Sequence, residues 1–459
     1  MFPLKFIERI KTQEYLNADS LLEALREPSP VSIRINPIKW KYQPSGSEPV
    51  PWCVTGFYLK ERPSFTLDPV FHAGCYYPQE ASSMFIEHVF NSGIINRMDL
   101  RILDLCAAPG GKATHLSSLA GNEALIVAND PIRSRARLLA DNLIKWGTSN
   151  TLVTQNDPSG FTRLGEFFDL IVIDAPCSGE GMFRDDAVRK EWSEENAHHC
   201  SLRQRRILKD AWPALKENGI LIYSTCTFNP AENEDNICWL LENPEAESVE
   251  IDISKFEGIV SISKNKMTGY GFYPDRIRGE GFFISIVRKR EKGSKWKGKL
   301  NQGSVTRPSS NELKVAVEWS DFDSNNIVKI GDSLYGIPGT REEFGLLTGI
   351  LNIIKPGTKI STLKNKDFLP SPDLALSTSL RNESFPTVDL DLNQAISFLK
   401  KGEIRDLNAP KGWFLSTYNS VNLSFANNIG TRINNSFPAD WRIRMEIPAQ
   451  AVDRILKWE

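Results

Sequence analysis

The chain has 459 residues, of which 41% are apolar and 24% are charged, and its formal net charge is −2 at pH 7. This length predicts two to four domains, and the composition is that of an ordinary soluble globular protein. The charge excludes a uniformly basic nucleic-acid-binding surface but allows a local basic face. No segment approaches the roughly 20 apolar residues of a membrane span, so we expect a cytoplasmic protein with no membrane partner.

The seven cysteines are an odd number, and no two of them have the two-residue spacing typical of zinc sites. A reducing compartment fits this pattern, and we expect no metal. Cys106, Cys177 and Cys226 lie in motifs that indicate a functional site. We interpret the other four as packing residues, which is the commonest role of a free cysteine: Cys53, Cys75, Cys200 and Cys238.

Residues 1–70 are predicted to form a small α+β region. Leucines at helical spacing from Leu16 to Leu25 predict a helix that ends before Pro28. The alternating segment Val31–Asn36 predicts a half-buried strand.

Residues 71–290 alternate between strand and helix patterns, which predicts an α/β fold with a parallel, Rossmann-like sheet. The predicted strands are Ile102–Cys106, Ala124–Asp130, Thr151–Asp157, Phe168–Asp174, Gly219–Thr225 and Gly281–Arg288. The predicted helices are Lys112–Leu119, Ile132–Lys145, Glu194–Pro213 and Ala231–Leu241.

A basic linker is predicted at residues 291–310. Within residues 288–299, seven lysines and arginines accompany the single acid Glu291. Such a run is usually solvated, but with Trp296 to stack on a base it equally fits a phosphate-contacting hinge. Prolines near residue 370 then divide a small α+β domain at 311–370 from a mixed α/β domain at 371–459.

A glycine turn follows the first strand of the predicted sheet and is suited to a cofactor. It consists of Cys106, Ala107, Ala108, Pro109, Gly110, Gly111 and Lys112. Small residues let the backbone approach a ligand, and the amino terminus of the next helix favours a carboxylate. The turn lacks the G-x-G-x-x-G pattern, which favours a nucleoside-sized ligand over a dinucleotide.

Two aspartates end the next two strands, at the sheet edge where open α/β folds bind ligands. Asp130 is placed to accept hydrogen bonds from a ribose diol, and Asp157 to reach an adenine edge. S-adenosylmethionine presents a diol, a base and a carboxylate without phosphate, and it fits these elements.

Two further thiols each close a strand-like run: Cys177 in the segment Asp174–Gly181 and Cys226 in Tyr223–Thr227. Thiols beside a methyl donor indicate covalent chemistry on a pyrimidine. Carbon 5 of cytosine becomes nucleophilic enough to take a methyl group once a thiolate has added to carbon 6. Asp174 is placed to address the base.

These motifs resemble those of the Sun/Nop RNA 5-methylcytosine methyltransferases. The resemblance runs from about Pro3 to Arg290 and includes Arg34–Lys39 and Tyr77–Glu80. It implies a catalytic domain at 71–290 and an RNA-binding role for residues 1–70.

The resemblance also implies roles for the site residues. Cys226 would be the nucleophile, Cys177 would assist release of the methylated product, and Asp174 would contact the target base. The implied S-adenosylmethionine site comprises Cys106–Lys112, Asp130, Asp157 and Asp174.

The carboxyl part is similar to the tail of the RsmF-type bacterial enzymes, through Leu374–Leu376, Gly412–Trp413 and Trp441–Ile443. Those enzymes modify small-subunit ribosomal RNA and end in a PUA-like RNA-binding domain, which implies such a domain at 371–459. The expected partner is small-subunit ribosomal RNA or the 30S subunit, and we expect a monomer.

An RNA surface is hypothesised beside the site, because a cytosine must leave its helix to meet both thiol and methyl donor. The segment from Arg184 to Lys209 carries several cations around Trp192. A solvated helix face is the default interpretation, and a phosphate track is the alternative.

Three other functions fit parts of the pattern. A transfer-RNA substrate would use the same chemistry. Methylation of an exocyclic nitrogen would use the same fold but has no need of Cys226. A non-catalytic ribosome assembly factor would bind RNA, but it predicts loss of the glycine turn or the thiols.

Overall fold

The structure is a computed structural model, and it describes residues 1–95, 99–290, 305–402, 407–446 and 454–459. Among these residues no helix has the length and apolar character needed to cross a membrane. The α-helices are α1 (Leu4–Ile10), α2 (Ala18–Ala24), α3 (Pro69–His72), α4 (Ile86–Asn91), α5 (Gly111–Leu119), α6 (Arg133–Trp146), α7 (Asp186–Glu191), α8 (Glu194–Ala211), α9 (Glu234–Leu240), α10 (Ser310–Trp319), α11 (Arg341–Ile350), α12 (Pro372–Leu376) and α13 (Leu392–Leu399).

The amino-terminal part contains an antiparallel sheet of order β2-β3-β1-β4. Its strands are β1 (Val31–Ile35), β2 (Glu48–Val50), β3 (Cys53–Leu59) and β4 (Tyr76–Pro78). The predicted leucine helix is α2, which begins after Asn17, whose side chain accepts a hydrogen bond from the backbone N–H of Ser20. Because β4 lies after residue 70, this sheet extends past the predicted end of the region, and the boundary itself stays a prediction.

The central sheet has the order β11-β12-β13-β9-β8-β5-β6-β7-β17, with β10 paired to β13. Its strands are β5 (Arg101–Asp104), β6 (Leu125–Asn129), β7 (Thr151–Thr154), β8 (Phe168–Asp174), β9 (Leu215–Thr225), β10 (Ala246–Ser248), β11 (Val260–Lys264), β12 (Met267–Phe272), β13 (Phe282–Lys289) and β17 (Ile353–Lys355). The five strands β5 to β9 are parallel to one another, which confirms the predicted parallel α/β sheet, and antiparallel strands flank them, β13 beside β9 and β17 beside β7.

Both faces of this sheet are buried, because alternate residues along a strand point to opposite sides. On β8, Ile171 and Ile173 belong to one hydrophobic cluster while Leu170 and Val172 belong to another. Buried apolar residues on both faces explain why these strands appear in the sequence as nearly continuous apolar runs.

Strand β5 lies between β6 and β8, although the chain visits β6 and β7 before it returns to β8. This reversal of strand order opens a crevice at the carboxyl ends of β5 and β8, where open α/β sheets bind ligands. The fold therefore directs the residues that follow Asp104 and Asp174 toward one place.

Several predicted elements begin or end at other residues, among them β5, which ends at Asp104, β9, which begins at Leu215, and the three described next. Strand β7 stops at Thr154 because Asp157 caps the 3-10 helix Pro158–Arg163 through the backbone N–H of Ser159. Helix α8 stops at Ala211 and is followed by a short 3-10 helix that contains Pro213, which has no N–H to donate. Helix α9 begins at Glu234, three residues later than predicted.

Two smaller sheets follow in the chain. One has the order β14-β15-β16-β18-β19, with β14 (Val305–Thr306), β15 (Ile327–Ile330), β16 (Ser333–Gly336), β18 (Thr358–Lys364) and β19 (Asp367–Pro370). The other has the order β20-β21-β22-β23, with β20 (Thr387–Asp389), β21 (Gly412–Tyr418), β22 (Val421–Asn428) and β23 (Ile433–Asn435). Strand β17 lies between β16 and β18 in the sequence but belongs to the central sheet. It pairs with β7 and covers that edge of the sheet.

Candidate active site

A cavity of about 570 Å³ opens at the carboxyl ends of β5 and β8. Residues of the glycine turn and the ends of both strands form one wall, and β4 with the segment after it forms another. The residues that line it are Ser29, Tyr77, Pro78, Gln79, Glu80, Ser83, Asp104, Cys106, Ala107, Ala108, Pro109, Gly111, Lys112, Asp174, Ala175, Met182, Asp185, Val188, Cys226, Glu280, Gly281 and Phe282.

The glycine turn is fixed by its backbone and by side chains of α6. Gly110 has φ +117°, a conformation that favours glycine, and it precedes the first residue of α5. Arg135 donates a hydrogen bond to the carbonyl oxygen of Ala108 at 3.0 Å, and Asn142 donates one to that of Pro109 at 2.8 Å. The turn is therefore held in place before any ligand binds.

Asp104 ends β5 inside this wall and is fully buried. Neither of its carboxylate oxygens has a hydrogen-bond partner among the described residues. Burial raises its pKa to about 8, and the nearby carboxylate of Asp174 adds to the shift while Lys112 opposes it. An unpartnered buried acid at a cavity wall fits a ligand that brings a positive charge.

Lys112 and Asp174 form an ion pair across the turn, with 2.8 Å between Nζ and Oδ2. The Ser224 hydroxyl donates to the other oxygen of Asp174 at 2.8 Å. The Lys112 ammonium also lies 5.0 Å from the ring centre of Phe282. Asp174 is consequently held at the end of β8 by partners on two neighbouring elements.

Cys177 and Cys226 meet at the ends of β8 and β9, with 3.0 Å between their sulfur atoms. The backbone N–H of Cys226 also lies within hydrogen-bonding reach of the Cys177 sulfur, at 3.3 Å. The hydrogen bond to Cys226 raises the pKa of the Cys177 thiol well above its usual value, and burial raises it further. Cys226 lines the cavity, so the geometry presents its sulfur to a ligand beside a protonated neighbour.

Two glycine segments bring the loops of these cysteines together. The N–H of Gly181 donates to the carbonyl of Cys226 at 2.9 Å, and the N–H of Gly281 donates to the carbonyl of Gly181 at 3.2 Å. A Cβ atom at Gly181 would lie 2.4 Å from the Gly281 oxygen. This close approach explains the glycines at both positions.

The two predicted ribose and adenine contacts, Asp130 and Asp157, are not among the residues that line the cavity. Asp130 is buried, accepts from the backbone N–H of Ile132 and pairs with Arg135 at 3.1 Å. Asp157 pairs with Arg206 at 3.2 Å. Their predicted contacts with a cofactor stay predictions, while Cys106 to Pro109, Gly111, Lys112 and Asp174 all line the cavity.

Several lining residues were not predicted as site residues. Tyr77, Gln79 and Glu80 reach the cavity from β4 and the turn after it. Glu80 accepts hydrogen bonds from the backbone N–H groups of Ser82, Ser83 and Glu280. The only signal for them in the sequence is the motif Tyr77–Glu80, which the family resemblance includes without assigning a role.

The hypothesised RNA surface is wrong for several of its cations, because their side chains bind other groups of the protein. Lys289 is 2% exposed and donates to the carbonyl oxygens of Trp212 and Leu215, so it does not face a phosphate. Arg290 pairs with Glu247. Trp296 and the four lysines of this run that follow Glu291 lie outside the described residues.

The helical segment of the hypothesised RNA surface likewise contains side chains with internal partners and side chains that are exposed. Arg184 donates to the carbonyls of Ala24 and Gly279, and Trp192 donates to Glu180. These side chains have internal roles and do not form a phosphate track. Lys190, Arg203 and Lys209 are exposed.

One buried group of the described residues offers metal-ligand atoms within 4.8 Å of one another: Cys53, Glu87 and His115. The three side chains already bond to one another, since Glu87 Oε2 lies 3.0 Å from the Cys53 sulfur and 2.8 Å from His115 Nε2. Burial raises the pKa of Cys53 to about 12 and lowers that of His115 to about 4. Cys53, predicted as a packing residue, thus also takes part in a polar contact.

Family models match three parts of the chain. The model described as 16S rRNA methyltransferase RsmB/F matches residues 95–288. The N-terminal domain of 16S rRNA methyltransferase RsmF matches residues 2–81, and the methyltransferase RsmF PUA domain matches residues 385–443.

Curated relatives match along nearly the whole length. The ribosomal RNA small subunit methyltransferase F of Shewanella loihica is 31% identical over 93% of this chain and 92% of its own. The protein of the same name from Klebsiella pneumoniae is 29% identical over 96% of both chains. A crystal structure of a methyltransferase homolog protein from Pyrococcus horikoshii is 30% identical, with a TM-score of 0.54 over 63% of this chain and 95% of that one. These matches confirm the predicted fold class and resemblance: the chain belongs to the RsmF group of the RsmB/F family of 16S rRNA methyltransferases.

Proposed function

We propose that the chain methylates carbon 5 of a cytosine in small-subunit ribosomal RNA, with S-adenosylmethionine as the methyl donor and Cys226 as a transient covalent nucleophile. The observation that carries this proposal is the pair Cys177 and Cys226, 3.0 Å apart at the ends of adjacent strands. A methyltransferase that acts on an exocyclic nitrogen needs neither thiol. The names of the relatives favour ribosomal over transfer RNA as the substrate.

The chemistry begins at Cys226. Its thiolate adds to carbon 6 of the cytosine, and the displaced electron pair makes carbon 5 an enamine-like nucleophile. Carbon 5 then bonds to the methyl group, which the sulfonium of S-adenosylmethionine supplies when bound. A base, such as a water molecule in the cavity, takes the proton from carbon 5. The electron pair of that bond re-forms the carbon–carbon double bond as the thiolate of Cys226 leaves.

The neighbours of Cys226 fit defined parts of this cycle. The ion pair of Lys112 and Asp174 lies at the cavity wall, where the carboxylate can accept from the amino group of the cytosine and the ammonium can donate to the ring. Cys177 carries the protonated thiol of the pair, which places a proton beside the departing Cys226 sulfur during release.

The cavity also fits the methyl donor. Its volume of about 570 Å³ suits a nucleoside-sized ligand together with a base. The carboxylate of Asp104, buried and without a partner among the described residues, suits the positive charge that such a donor brings. The fixed glycine turn lets the backbone approach the ligand closely.

Bisulfite sequencing of ribosomal and transfer RNA tests the function. RNA from a strain lacking the gene is compared with RNA from the same strain expressing the natural chain or its Cys226→Ser variant. We expect one or more ribosomal cytosines to lose the mark in the deletion strain and to regain it only with the natural chain. Full marking by Cys226→Ser would overturn the covalent mechanism, and loss confined to transfer RNA would overturn the substrate.

A further inference from the structure

Glu232 is a buried carboxylate that holds the loop of Cys177, although it lies far from that loop in sequence. It precedes α9 and is 0% exposed. One oxygen accepts from the backbone N–H of Ser178 at 2.9 Å, and the other accepts from the Ser178 hydroxyl at 2.5 Å. Since Ser178 directly follows Cys177, these bonds fix the chain on one side of that thiol.

Gln204 of α8 fixes the chain on the other side of the Cys177 thiol. Its side-chain amide donates to the carbonyl of Pro176 at 3.1 Å and to Glu232 at 2.9 Å. Pro176 directly precedes Cys177, so both peptide neighbours of the thiol are tied to one buried polar pair. The Ser178 hydroxyl also lies 3.0 Å from that of Thr227, the residue after Cys226.

The charge of Glu232 has no cation in direct contact among the described residues. Burial raises its pKa to about 7, hydrogen bonds from Ser178 oppose the shift, and the carboxylate of Glu180 adds to it. Arg9, which pairs with Glu180, and Arg205, which donates to Asn236, are engaged with other partners. The titratable groups that interact electrostatically with Glu232 are Cys177, Cys200, Tyr223 and Glu180.

We propose that Glu232 is a positioning residue that keeps the Cys177 thiol against Cys226, so that the methylated base is released. The inference rests on the proposed function, because release matters only if Cys226 bonds to the base. In its ionised form Glu232 accepts three hydrogen bonds at once, two of them at one oxygen. Protonation turns one oxygen into a donor and weakens this arrangement.

The first test compares how much covalent protein–RNA adduct accumulates in four proteins: the natural chain, Cys177→Ala, Glu232→Ala and the double variant. We expect Glu232→Ala to accumulate adduct as Cys177→Ala does, about tenfold or more above the natural chain. The double variant should hold no more adduct than Cys177→Ala alone, since both changes act on one thiol. Glu87→Gln, which alters a buried hydrogen-bonded carboxylate that contacts neither Cys177 nor Cys226, should behave as the natural chain does.

The second test uses Glu232→Gln, whose side-chain amide copies the protonated carboxyl and presents a donor where the ionised form accepts from the Ser178 hydroxyl. In the natural chain, adduct should increase as the pH falls from about 8 to about 6 through the pKa of Glu232. In Glu232→Gln, adduct should be high and nearly constant over this range. If thermal melting shows that Glu232→Ala does not fold, Glu232→Gln alone tests the positioning role of Glu232.

The outcomes separate the two claims. Adduct in Cys177→Ala but natural levels in folded Glu232→Ala and Glu232→Gln would overturn the positioning role and leave the proposed function intact. An unchanged pH response in Glu232→Gln would overturn it as well. Methylation by Cys226→Ser, with no adduct in any variant, would overturn the proposed function and with it this inference.

Discussion

The ammonium of Lys112 lies 2.8 Å from the carboxylate of Asp174, and this contact joins the glycine turn after β5 to the end of β8. The two residues come from different motifs, one suited to a cofactor and the other adjoining a cysteine. Their ion pair places both motifs at a single wall of the cavity. The pair therefore links the proposed site of the methyl donor to the proposed site of the base.

This link predicts non-additive kinetics. Lys112→Ala and Asp174→Ala should each lower kcat/KM for methyl transfer by about 10²- to 10⁴-fold, the usual effect of losing a group that assists proton movement. The double variant should be little worse than the poorer single variant, because each change leaves the other residue without its partner. Single-turnover methylation with labelled donor measures all three rates, and losses that multiply would show independent roles.

The cysteine pair predicts opposite effects of two similar substitutions. Cys226→Ala should abolish methylation while donor binding, measured by calorimetry, stays within about twofold. Cys177→Ala should retain methyl transfer to the base and trap the protein on RNA, visible as a slow band on a denaturing gel. Cys238→Ser changes a half-buried cysteine away from the cavity and serves as the control. A trapped band from Cys226→Ala would reverse the two assigned roles.

The unpartnered carboxyl of Asp104 predicts a pH-dependent stability. Its pKa is raised to about 8, so the folded chain keeps a proton that the unfolded chain loses near pH 4. The unfolded state thus binds fewer protons between these values, and stability falls as the pH rises, by up to about 1.4 kcal/mol per pH unit from this group. The Asp104→Asn variant has no titratable group at this position, so it lacks this contribution to the pH dependence of stability.

Thermal melting of the ligand-free protein checks this sign. The melting temperature of Asp104→Asn relative to the natural chain should increase steadily from about pH 4 to about pH 8 and then level off. A constant difference at every pH would mean that Asp104 is not protonated in the fold. Calorimetry above about pH 8, where Asp104 is ionised, should also show weaker binding of S-adenosylmethionine by the variant, since its neutral amide attracts a cationic donor less than the carboxylate does.

The sequence predicts both cysteines at strand ends that face one cleft, and the structure adds the contact between their sulfur atoms. The apolar runs that became β8 and β9 are buried on both faces, and parallel neighbours bring Cys177 and Cys226 to the same edge of the sheet. The glycine turn was equally predictable, because its position after an apolar strand and before a helix is local information. The first prediction depended on where the strands end, and the second depended on the local sequence alone.

Other features depended on contacts that the sequence does not encode locally. Asp157 does not end a strand, because β7 stops earlier. The Asp157 side chain instead caps the 3-10 helix that follows. Lys289 belongs to a run of cations, yet its place on β13 directs it to backbone carbonyls next to β9. Glu232 and Gln204 reach Cys177 only through the packing of α8 and the turn before α9.

The exposed cations of α7 and α8 predict a salt-dependent contribution to RNA binding. Charge reversal at Lys190, Arg203 and Lys209 removes favourable interactions with phosphate, and each lost contact should reduce the slope of log affinity against log salt by about 0.7 to 0.9. The loss of affinity should therefore be larger at low salt than at high salt. Arg290→Glu is the matched control, because Arg290 is also exposed but pairs with Glu247. Filter binding of a ribosomal RNA fragment at several salt concentrations measures the slopes, and identical slopes for the triple variant and the natural chain would remove these cations from the RNA surface.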